Sequence, residues 1–192
     1  MGEALVTGSF AEVQKVSGAG LAKSWLRVEA VLVVDTSSSM ATADAGNHQP
    51  RIQVAQQEVA KLQRRLPGKL AIVNFNHDAS WEPAGRLQEP AGSTNVAGAL
   101  EYVRDLLGPG AQGIKVIVIS DGEPDDEAPA LAEAKLLKAA GAVISTVYVG
   151  PDHGYGKAFL SRLASVGGGE LGEAELVKAL GDVVVKLLGA GA

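Results

Sequence analysis

The chain has no cysteine, few aromatic residues and no long apolar run. Aromatic residues make up 4% of its 192 positions, and the absence of cysteine excludes disulfides, thiolate zinc ligands and a cysteine nucleophile. No stretch approaches the ~20 apolar residues that are needed to span a bilayer. The first residues lack the basic segment and apolar core that mark a secretory signal. We therefore expect a cytoplasmic protein.

Basic residues are also in the minority. The 17 lysines and arginines are outnumbered by 22 aspartates and glutamates, which gives a formal net charge of −5. Nucleic-acid-binding proteins usually present a basic face or stripe, so this balance argues against one. An apolar fraction of 46% is ordinary for a globular protein with one core. We expect an N-terminal extension, residues 1–24, packed on the edge of a single domain, residues 25–192.

Short apolar runs rich in β-branched residues alternate with longer segments of helical periodicity. Strong strands are predicted at 28–34, 70–75, 114–119 and 143–149. Helices are predicted at 51–66, 95–107, 128–140, 157–164 and 173–188. Strands that alternate with helices of this length form a mostly parallel sheet with helices on both faces. The sequence thus predicts a doubly wound α/β domain.

Two regions fit this alternation less well. Inside the N-terminal extension, residues 4–10 are predicted as a strand, and a short helix is predicted just before Trp25. The polar stretch 76–90 is punctuated by proline and glycine, and it is predicted to hold an edge hairpin around Gly85.

Polar residues follow the predicted strands at the end where open α/β sheets bind ligands. The first strand is followed by Asp35, Ser37 and Ser39 in an Asp-x-Ser-x-Ser pattern, and the third strand by Asp121 in a Ser-Asp-Gly loop. A Gly-Ser-Thr-Asn turn containing Thr94 precedes the central helix. These clusters offer oxygen ligands only, and such ligands suit hard cations such as Mg²⁺, Mn²⁺ or Ca²⁺. We therefore predict a site for one divalent ion.

The five residues in this order resemble the metal-ion-dependent adhesion site (MIDAS) of the von Willebrand factor type A (VWA) domain. The resemblance covers about residues 28–188, and all five positions match without substitution. It implies a Rossmann-like fold and a binding module that is not an enzyme. It also implies that Ser37, Ser39 and Thr94 contact the ion directly, while Asp35 and Asp121 act directly or through water. Exchange of the threonine for the second aspartate, coupled to movement of the last helix, is known for some VWA domains.

The partner that this resemblance implies is a protein that presents an aspartate or a glutamate to the ion. The surrounding loops would then form a rim that selects the partner. The rim is predicted to include Met40, His48, His77, Ser93, Asn95, Glu123 and His153. For the three histidines, the interpretation as ordinary surface-loop residues stays open. Small members of this kind resemble bacterial or phage proteins that act with a MoxR-type AAA+ ATPase or in stress responses such as tellurium resistance.

Each candidate ligand also has a simpler interpretation. A single serine such as Ser37 or Ser39 usually caps a helix or a turn, and Thr94 could be the N-cap of the central helix. The acidic run 125–127 is interpreted as solvated charge that is favoured at a helix N-terminus, and not as a source of further ligands.

Two other functions remain as alternatives. A Mg²⁺-dependent phosphatase of the haloacid-dehalogenase type would use Asp35 as its nucleophile, with Asp121 and Asp125 as metal carboxylates. That family requires an aspartate as acid and base where this chain has Ser37, and a serine cannot transfer that proton at neutral pH. The second alternative is a scaffold or virion-assembly component that uses the same face.

Overall fold

A six-stranded sheet forms the centre of the protein. The computed structural model describes residues 5–18, 20, 25–45, 48–150, 155–173 and 180–189. The strands are β1 (Ala30–Asp35), β2 (Leu70–Phe75), β3 (Ala79–Trp81), β4 (Lys115–Ser120), β5 (Val143–Tyr148) and β6 (Gly168–Glu173). They lie in the order β3-β2-β1-β4-β5-β6, and every neighbouring pair is parallel except β2 with β3. Because β1 and β4 are adjacent, the polar loops that follow them begin side by side.

The helices of the described residues cover both faces of this sheet. They are α1 (Phe10–Ser17), α2 (Arg51–Arg65), α3 (Val96–Leu107), α4 (Glu127–Ala139), α5 (Tyr155–Gly167) and α6 (Leu180–Leu188). None of these helices is both long enough and apolar enough to cross a membrane.

The central strands are apolar on both faces because successive side chains point to opposite sides of a sheet. Val31 and Val33 of β1 belong to one buried cluster, and Leu32 and Val34 belong to another. The first cluster is completed by α3, α4 and α5, and the second by α2 and α6. The predicted doubly wound, mostly parallel architecture is therefore confirmed.

The four predicted strong strands and the first three predicted helices are confirmed, with boundaries that move by two residues or fewer. The predicted edge hairpin exists, but its turn lies at residues 76–78 between β2 and β3 and not at Gly85. Strand β6 was not predicted, since its sequence GGELGE has no β-branched residue. The predicted helix 173–188 is wrong at its start, because Glu173 ends β6, and residues 174–179 lie outside the described residues.

The strand predicted at the N-terminus is absent from residues 5–10, and a helix follows instead. Residues 5–9 contain no strand, and Phe10 begins α1 after the N-cap Ser9, whose side chain accepts a hydrogen bond from the backbone N–H of Glu12 at 3.3 Å. Phe10 is buried in the first cluster. The backbone N–H of Gly68 donates to the carbonyl of Gly8 at 3.1 Å, which ties this segment to the turn before β2. The helix predicted just before Trp25 lies in residues 21–24, outside the described residues.

Candidate metal site

The predicted ligands come together at the carboxyl ends of the two central strands. Asp35 is the last residue of β1, and Asp121 directly follows β4. Thr94 lies two residues before α3, in a loop that is joined to the first by a hydrogen bond from the Ser38 N–H to the Gly92 carbonyl at 3.2 Å. Three segments that are distant in sequence therefore form one surface.

Asp35 is completely buried beneath this surface. One carboxylate oxygen accepts the backbone N–H of Ser37 at 2.7 Å, and the other accepts the Ser120 hydroxyl at 2.6 Å. Burial raises the pKa of Asp35 from its ordinary 3.8 to about 6. The hydrogen bonds from Ser120 and Ser37 lower this pKa in part, and the nearby negative charge of Asp121 raises it further. A buried carboxylate of this kind is stabilised in its charged form when a cation lies next to it.

The two serine hydroxyls lie above the buried carboxylate. Ser37 Oγ and Ser39 Oγ are 3.0 Å apart, and the Ser39 hydroxyl donates to Asp121 Oδ1 at 2.7 Å. Ser37 is buried, whereas Ser39 is exposed, so the cluster opens to solvent on the Ser39 side. A Cβ added at Gly122 would lie 3.7 Å from both Ser39 Oγ and Thr94 Oγ1. The hydroxyls of Ser39 and Thr94 therefore both lie close to Gly122.

This donor set fits a small divalent cation. An octahedral Mg²⁺ with bonds of 2.0–2.1 Å places neighbouring ligand oxygens about 2.9 Å apart. Ser37 Oγ and Ser39 Oγ form a hydrogen bond of 3.0 Å, a separation that a cation bound by both oxygens could retain. The described part of the chain contains no group of three or more histidine, aspartate or glutamate side chains that could hold a metal. A cation here would thus depend on hydroxyl ligands, with Asp35 and Asp121 supplying negative charge.

Arg51, the first residue of α2, places a positively charged side chain next to the site, and this contact was not predicted from the sequence. Its Nη1 donates to Asp121 Oδ2 at 2.5 Å, while its Nε and Nη2 donate to the two carboxylate oxygens of Asp44. The side chain of Arg51 is 8% exposed and that of Asp121 is fully buried. The hydrogen bond from Arg51 lowers the pKa of Asp44. One signal for this role was present, because a basic residue at a helix N-terminus opposes the helix dipole and needs a compensating contact.

Asp125 also has a role beyond the solvated charge that was predicted for it. Its carboxylate accepts the Ser93 hydroxyl at 2.6 Å and the Thr94 backbone N–H at 3.1 Å. It therefore holds the loop that carries the third hydroxyl. The remaining residues of the acidic run behave as predicted: Asp126 is the N-cap of α4, and Glu127 lies in its first turn.

The capping interpretations of the candidate ligands are wrong. The N-cap of α3 is Asn95, whose side chain accepts the Gly98 N–H at 2.9 Å, and not Thr94. Ser37 precedes a short 3₁₀ helix, Ser38–Ala41, but makes no side-chain capping hydrogen bond to it. Neither Thr94 nor Ser37 has a hydroxyl that is accounted for by a helix end.

The predicted rim residues are only partly placed at the surface. Met40 is fully buried in the second apolar cluster, so its inclusion in the rim is wrong. His48, His77 and Glu123 are exposed. Ser93 and Asn95 are half-buried and connect neighbouring loops. The Ser93 hydroxyl donates to the Asp125 carboxylate, and the Asn95 side-chain amide donates to the His77 carbonyl. His153 lies outside the described residues.

No protein-family model matches the chain, and no curated protein matches it. Solved structures do. A von Willebrand factor type A protein from Catenulispora acidiphila has a TM-score of 0.63 at 16% identity, over 83% of this chain and 41% of that chain. The manganese-loaded TRAP protein of Plasmodium vivax has a TM-score of 0.62 at 18% identity, over 84% and 73%. Proximal thread matrix protein 1 of the mussel byssus, with a zinc-occupied MIDAS motif, has a TM-score of 0.61 at 18% identity, over 84% and 47%.

These likenesses establish the fold of the chain. The mostly parallel six-stranded sheet with helices on both faces is the fold of VWA domains. Two of the three matched proteins are more than twice as long as the part that this chain covers. The TRAP structure is manganese-loaded, and that of proximal thread matrix protein 1 has zinc in its MIDAS motif.

Proposed function

We propose that this chain is a protein-binding module that holds one divalent cation, with Mg²⁺ as the native ion, and captures an acidic side chain of a partner protein through it. The observation that carries the proposal is the convergence of the Ser37 and Ser39 hydroxyls, 3.0 Å apart, with the buried carboxylates of Asp35 and Asp121. Ser37, Ser39 and Thr94 would contact the ion, while Asp35 and Asp121 would compensate its charge.

The local charge favours an anionic partner. Asp35 and Asp121 contribute two negative charges, and Arg51 contributes one positive charge at hydrogen-bond distance from Asp121. Counted on these three side chains alone, a divalent ion exceeds the negative charge by one unit. Asp44, which pairs with Arg51 on its outer side and is 37% exposed, offsets part of this excess, and the exposed Ser39 marks the open side. An aspartate or glutamate of a partner would supply the missing charge and a hard oxygen ligand.

The burial of Asp35 favours a binding role over phosphoryl transfer. A phosphatase nucleophile has to reach its substrate, but Asp35 is completely buried and both of its oxygens accept protein hydrogen bonds. We propose that the protein is not an enzyme, and we expect no hydrolysis of p-nitrophenyl phosphate with Mg²⁺. A scaffold or virion-assembly role would use the same face, and no contact of the described residues favours it.

The finer context follows from the resemblance to VWA domains. We propose a cytoplasmic protein whose partner is an AAA+ ATPase of the MoxR type. Size-exclusion chromatography of the two purified proteins tests this, since a complex that forms with Mg²⁺ has to dissociate in EDTA if the ion carries the contact.

A thermal melt with matched variants tests the metal site. Wild type is melted in EDTA and in Mg²⁺, Mn²⁺ or Ca²⁺, each with and without acetate as a stand-in for the partner carboxylate. A cation at 100-fold its Kd adds about 2.7 kcal/mol and raises the melting temperature by about 5–10 °C. Ser39→Ala removes a proposed ligand and should abolish the shift.

Ser38→Ala is the matched control, because Ser38 is an adjacent exposed hydroxyl that donates to the Gly92 carbonyl and is not a proposed ligand. This variant should keep the full shift. The proposal is wrong if wild type shows no shift with any cation in the presence of acetate, or if Ser39→Ala and Ser38→Ala shift equally.

A further inference from the structure

The interaction between Arg51 and Asp121 places a fixed protein cation against one of the proposed metal-compensating carboxylates. Arg51 Nη1 lies 2.5 Å from Asp121 Oδ2, and both side chains are almost entirely shielded from solvent. In such an environment a charge–charge contact is screened much less than at the surface. The guanidinium therefore has a direct effect on any cation that approaches Asp121.

Both carboxylate oxygens of Asp121 are already committed to protein donors. Oδ1 accepts the Ser39 hydroxyl at 2.7 Å, and Oδ2 accepts Arg51. Each oxygen keeps a second lone pair, but a metal ion bound directly to Asp121 would lie close to the Arg51 guanidinium and be repelled by its charge. Arg51 thus favours the arrangement in which the hydroxyls contact the ion and Asp121 stays behind them.

Asp44 fixes Arg51 in this position. The Nε–H and one Nη2–H of Arg51 donate to the two oxygens of Asp44, a bidentate arrangement that sets the plane of the guanidinium. The backbone N–H of Arg51 also donates to the Thr42 carbonyl at 3.0 Å, which closes the loop between the 3₁₀ helix and α2. Asp44 has a side chain that is 37% exposed, so its own charge partly offsets that of Arg51 at the outer side.

We propose that Arg51 is a positioning residue that lowers the affinity of the site for its cation by opposing the charge of Asp121, and that Asp44 tunes this effect in the opposite direction. A cation that is bound weakly by the protein alone keeps a high affinity for a carboxylate ligand from a partner. This inference rests on the proposed function, because it concerns the same metal site.

The two roles make predictions of opposite sign. Arg51→Gln removes a positive charge beside Asp121, so the Kd for Mn²⁺ should fall at least tenfold. Asp44→Asn keeps Arg51 but removes the charge that offsets it, so the Kd should rise about threefold. If Arg51 and Asp44 only brace the loop, losing either of them would change the affinity in the same direction.

Two further variants separate charge from shape. Arg51→Lys keeps the positive charge but loses the planar bidentate contact, and its Kd should stay within about threefold of wild type. Arg65→Gln removes the same charge from the other end of α2, about 20 Å away, where Arg65 pairs with the exposed Asp182. Its Kd should be unchanged.

The experiment is a Mn²⁺ titration of the EDTA-stripped full chain, followed by the electron paramagnetic resonance signal of free Mn²⁺ at low ionic strength. Tighter binding by Arg51→Gln together with weaker binding by Asp44→Asn supports the inference. If wild type binds Mn²⁺ and Arg51→Gln binds no more tightly, or Arg51→Lys binds as tightly as Arg51→Gln, the inference is overturned while the metal site stands.

Folding and the metal site itself are checked separately. Circular dichroism in EDTA shows whether each variant is folded. Should Arg51→Gln not fold, unchanged or tighter Mn²⁺ binding by Asp44→Asn would still contradict the inference. If no variant, wild type included, binds Mn²⁺ with or without acetate, the proposed function fails and the inference fails with it.

Discussion

Asp125 and Thr94 bind each other through two hydrogen bonds. The Asp125 carboxylate accepts the Thr94 backbone N–H at 3.1 Å, and the Asp125 N–H donates to the Thr94 carbonyl at 3.0 Å. A third hydrogen bond joins the same carboxylate to the Ser93 hydroxyl. The loop after β4 therefore positions the segment that carries the third proposed hydroxyl ligand. Asp125 itself is not a proposed ligand.

Replacement of Asp125 by alanine should weaken the metal site. Asp125→Ala removes two hydrogen bonds that hold the Ser93–Thr94 segment, so we expect the Kd for Mn²⁺ to rise about tenfold, equivalent to about 1.4 kcal/mol. Isothermal titration calorimetry measures this change directly. The adjacent Asp126→Ala variant loses the N-cap of α4 and should lose about 1 kcal/mol of stability with no change in Kd. Equal metal affinity in the two variants would contradict the prediction.

The convergence of the proposed metal-site residues could be predicted from the sequence, because most of them directly follow recognisable strands. Continuous apolar runs predict β1 and β4 as central strands, and parallel strands present their carboxyl ends at one side of the sheet. Asp35 and Asp121 follow those runs directly, so their proximity requires only the correct strand order. The contacts of Arg51 and Asp125 depend instead on how loops pack across the sheet end, and no periodicity of the sequence encodes them.

The prediction of a strand at the N-terminus is wrong for a different reason. A strand was predicted at 4–10 although that segment is only weakly patterned, whereas Ser9 and Glu12 form a Ser-x-x-Glu pattern that signals a helix start. In the structure the Ser9 side chain accepts the Glu12 N–H, and the Glu12 carboxylate accepts the Gly8 N–H. The capping signal outweighs such a weak strand pattern, because it satisfies backbone donors that a lone strand would leave unpaired.

A substitution at Gly8 tests how firmly the N-terminal segment is held. Gly8 has φ of 80°, and a Cβ there would lie 2.1 Å from the Gln63 carbonyl oxygen of α2. Gly8→Ala should therefore cost about 3 kcal/mol of unfolding free energy through backbone strain and overlap. Gly18 has φ of 63° with open space around it, so Gly18→Ala should cost only about 1 kcal/mol. Urea unfolding compares the two, and similar costs would show that α1 is not packed as described.

The aromatic cluster next to α1 offers a spectroscopic test of the same packing. Phe10 is buried with its ring centroid 5.6 Å from that of Trp25 and 5.3 Å from that of Trp81, the two tryptophans of the chain. Phe10→Ala should lower the unfolding free energy by about 3 kcal/mol and shift tryptophan emission to the red as water enters. Tyr155→Ala, at a side chain that is 84% exposed, should change neither property. An unshifted emission spectrum in Phe10→Ala would count against this cluster.

The raised pKa of Asp35 determines the sign of a pH effect on the metal-free protein. The folded state holds the Asp35 proton up to about pH 6, whereas the unfolded chain releases it near pH 3.8. The folded state therefore binds more protons than the unfolded chain between these two pH values. The contribution of Asp35 to the free energy of unfolding is fully present below pH 3.8 and is lost as the pH rises through 6. The lowered pKa of Asp44 acts in the opposite sense, because its contribution is lost as the pH falls below its ordinary value.

Asp35→Asn isolates the first of these effects. In EDTA, the stability of wild type relative to this variant should fall by about 3 kcal/mol between acid conditions and pH 7, since the asparagine has no charge to bury. Urea unfolding across this range at constant ionic strength measures the difference. Saturating Mg²⁺ at pH 7 should restore stability to wild type and leave the variant nearly unchanged, because a cation compensates the buried carboxylate only where one is present. If the difference in unfolding free energy between wild type and Asp35→Asn does not change with pH, ionisation of Asp35 does not destabilise the folded protein, and the prediction is wrong.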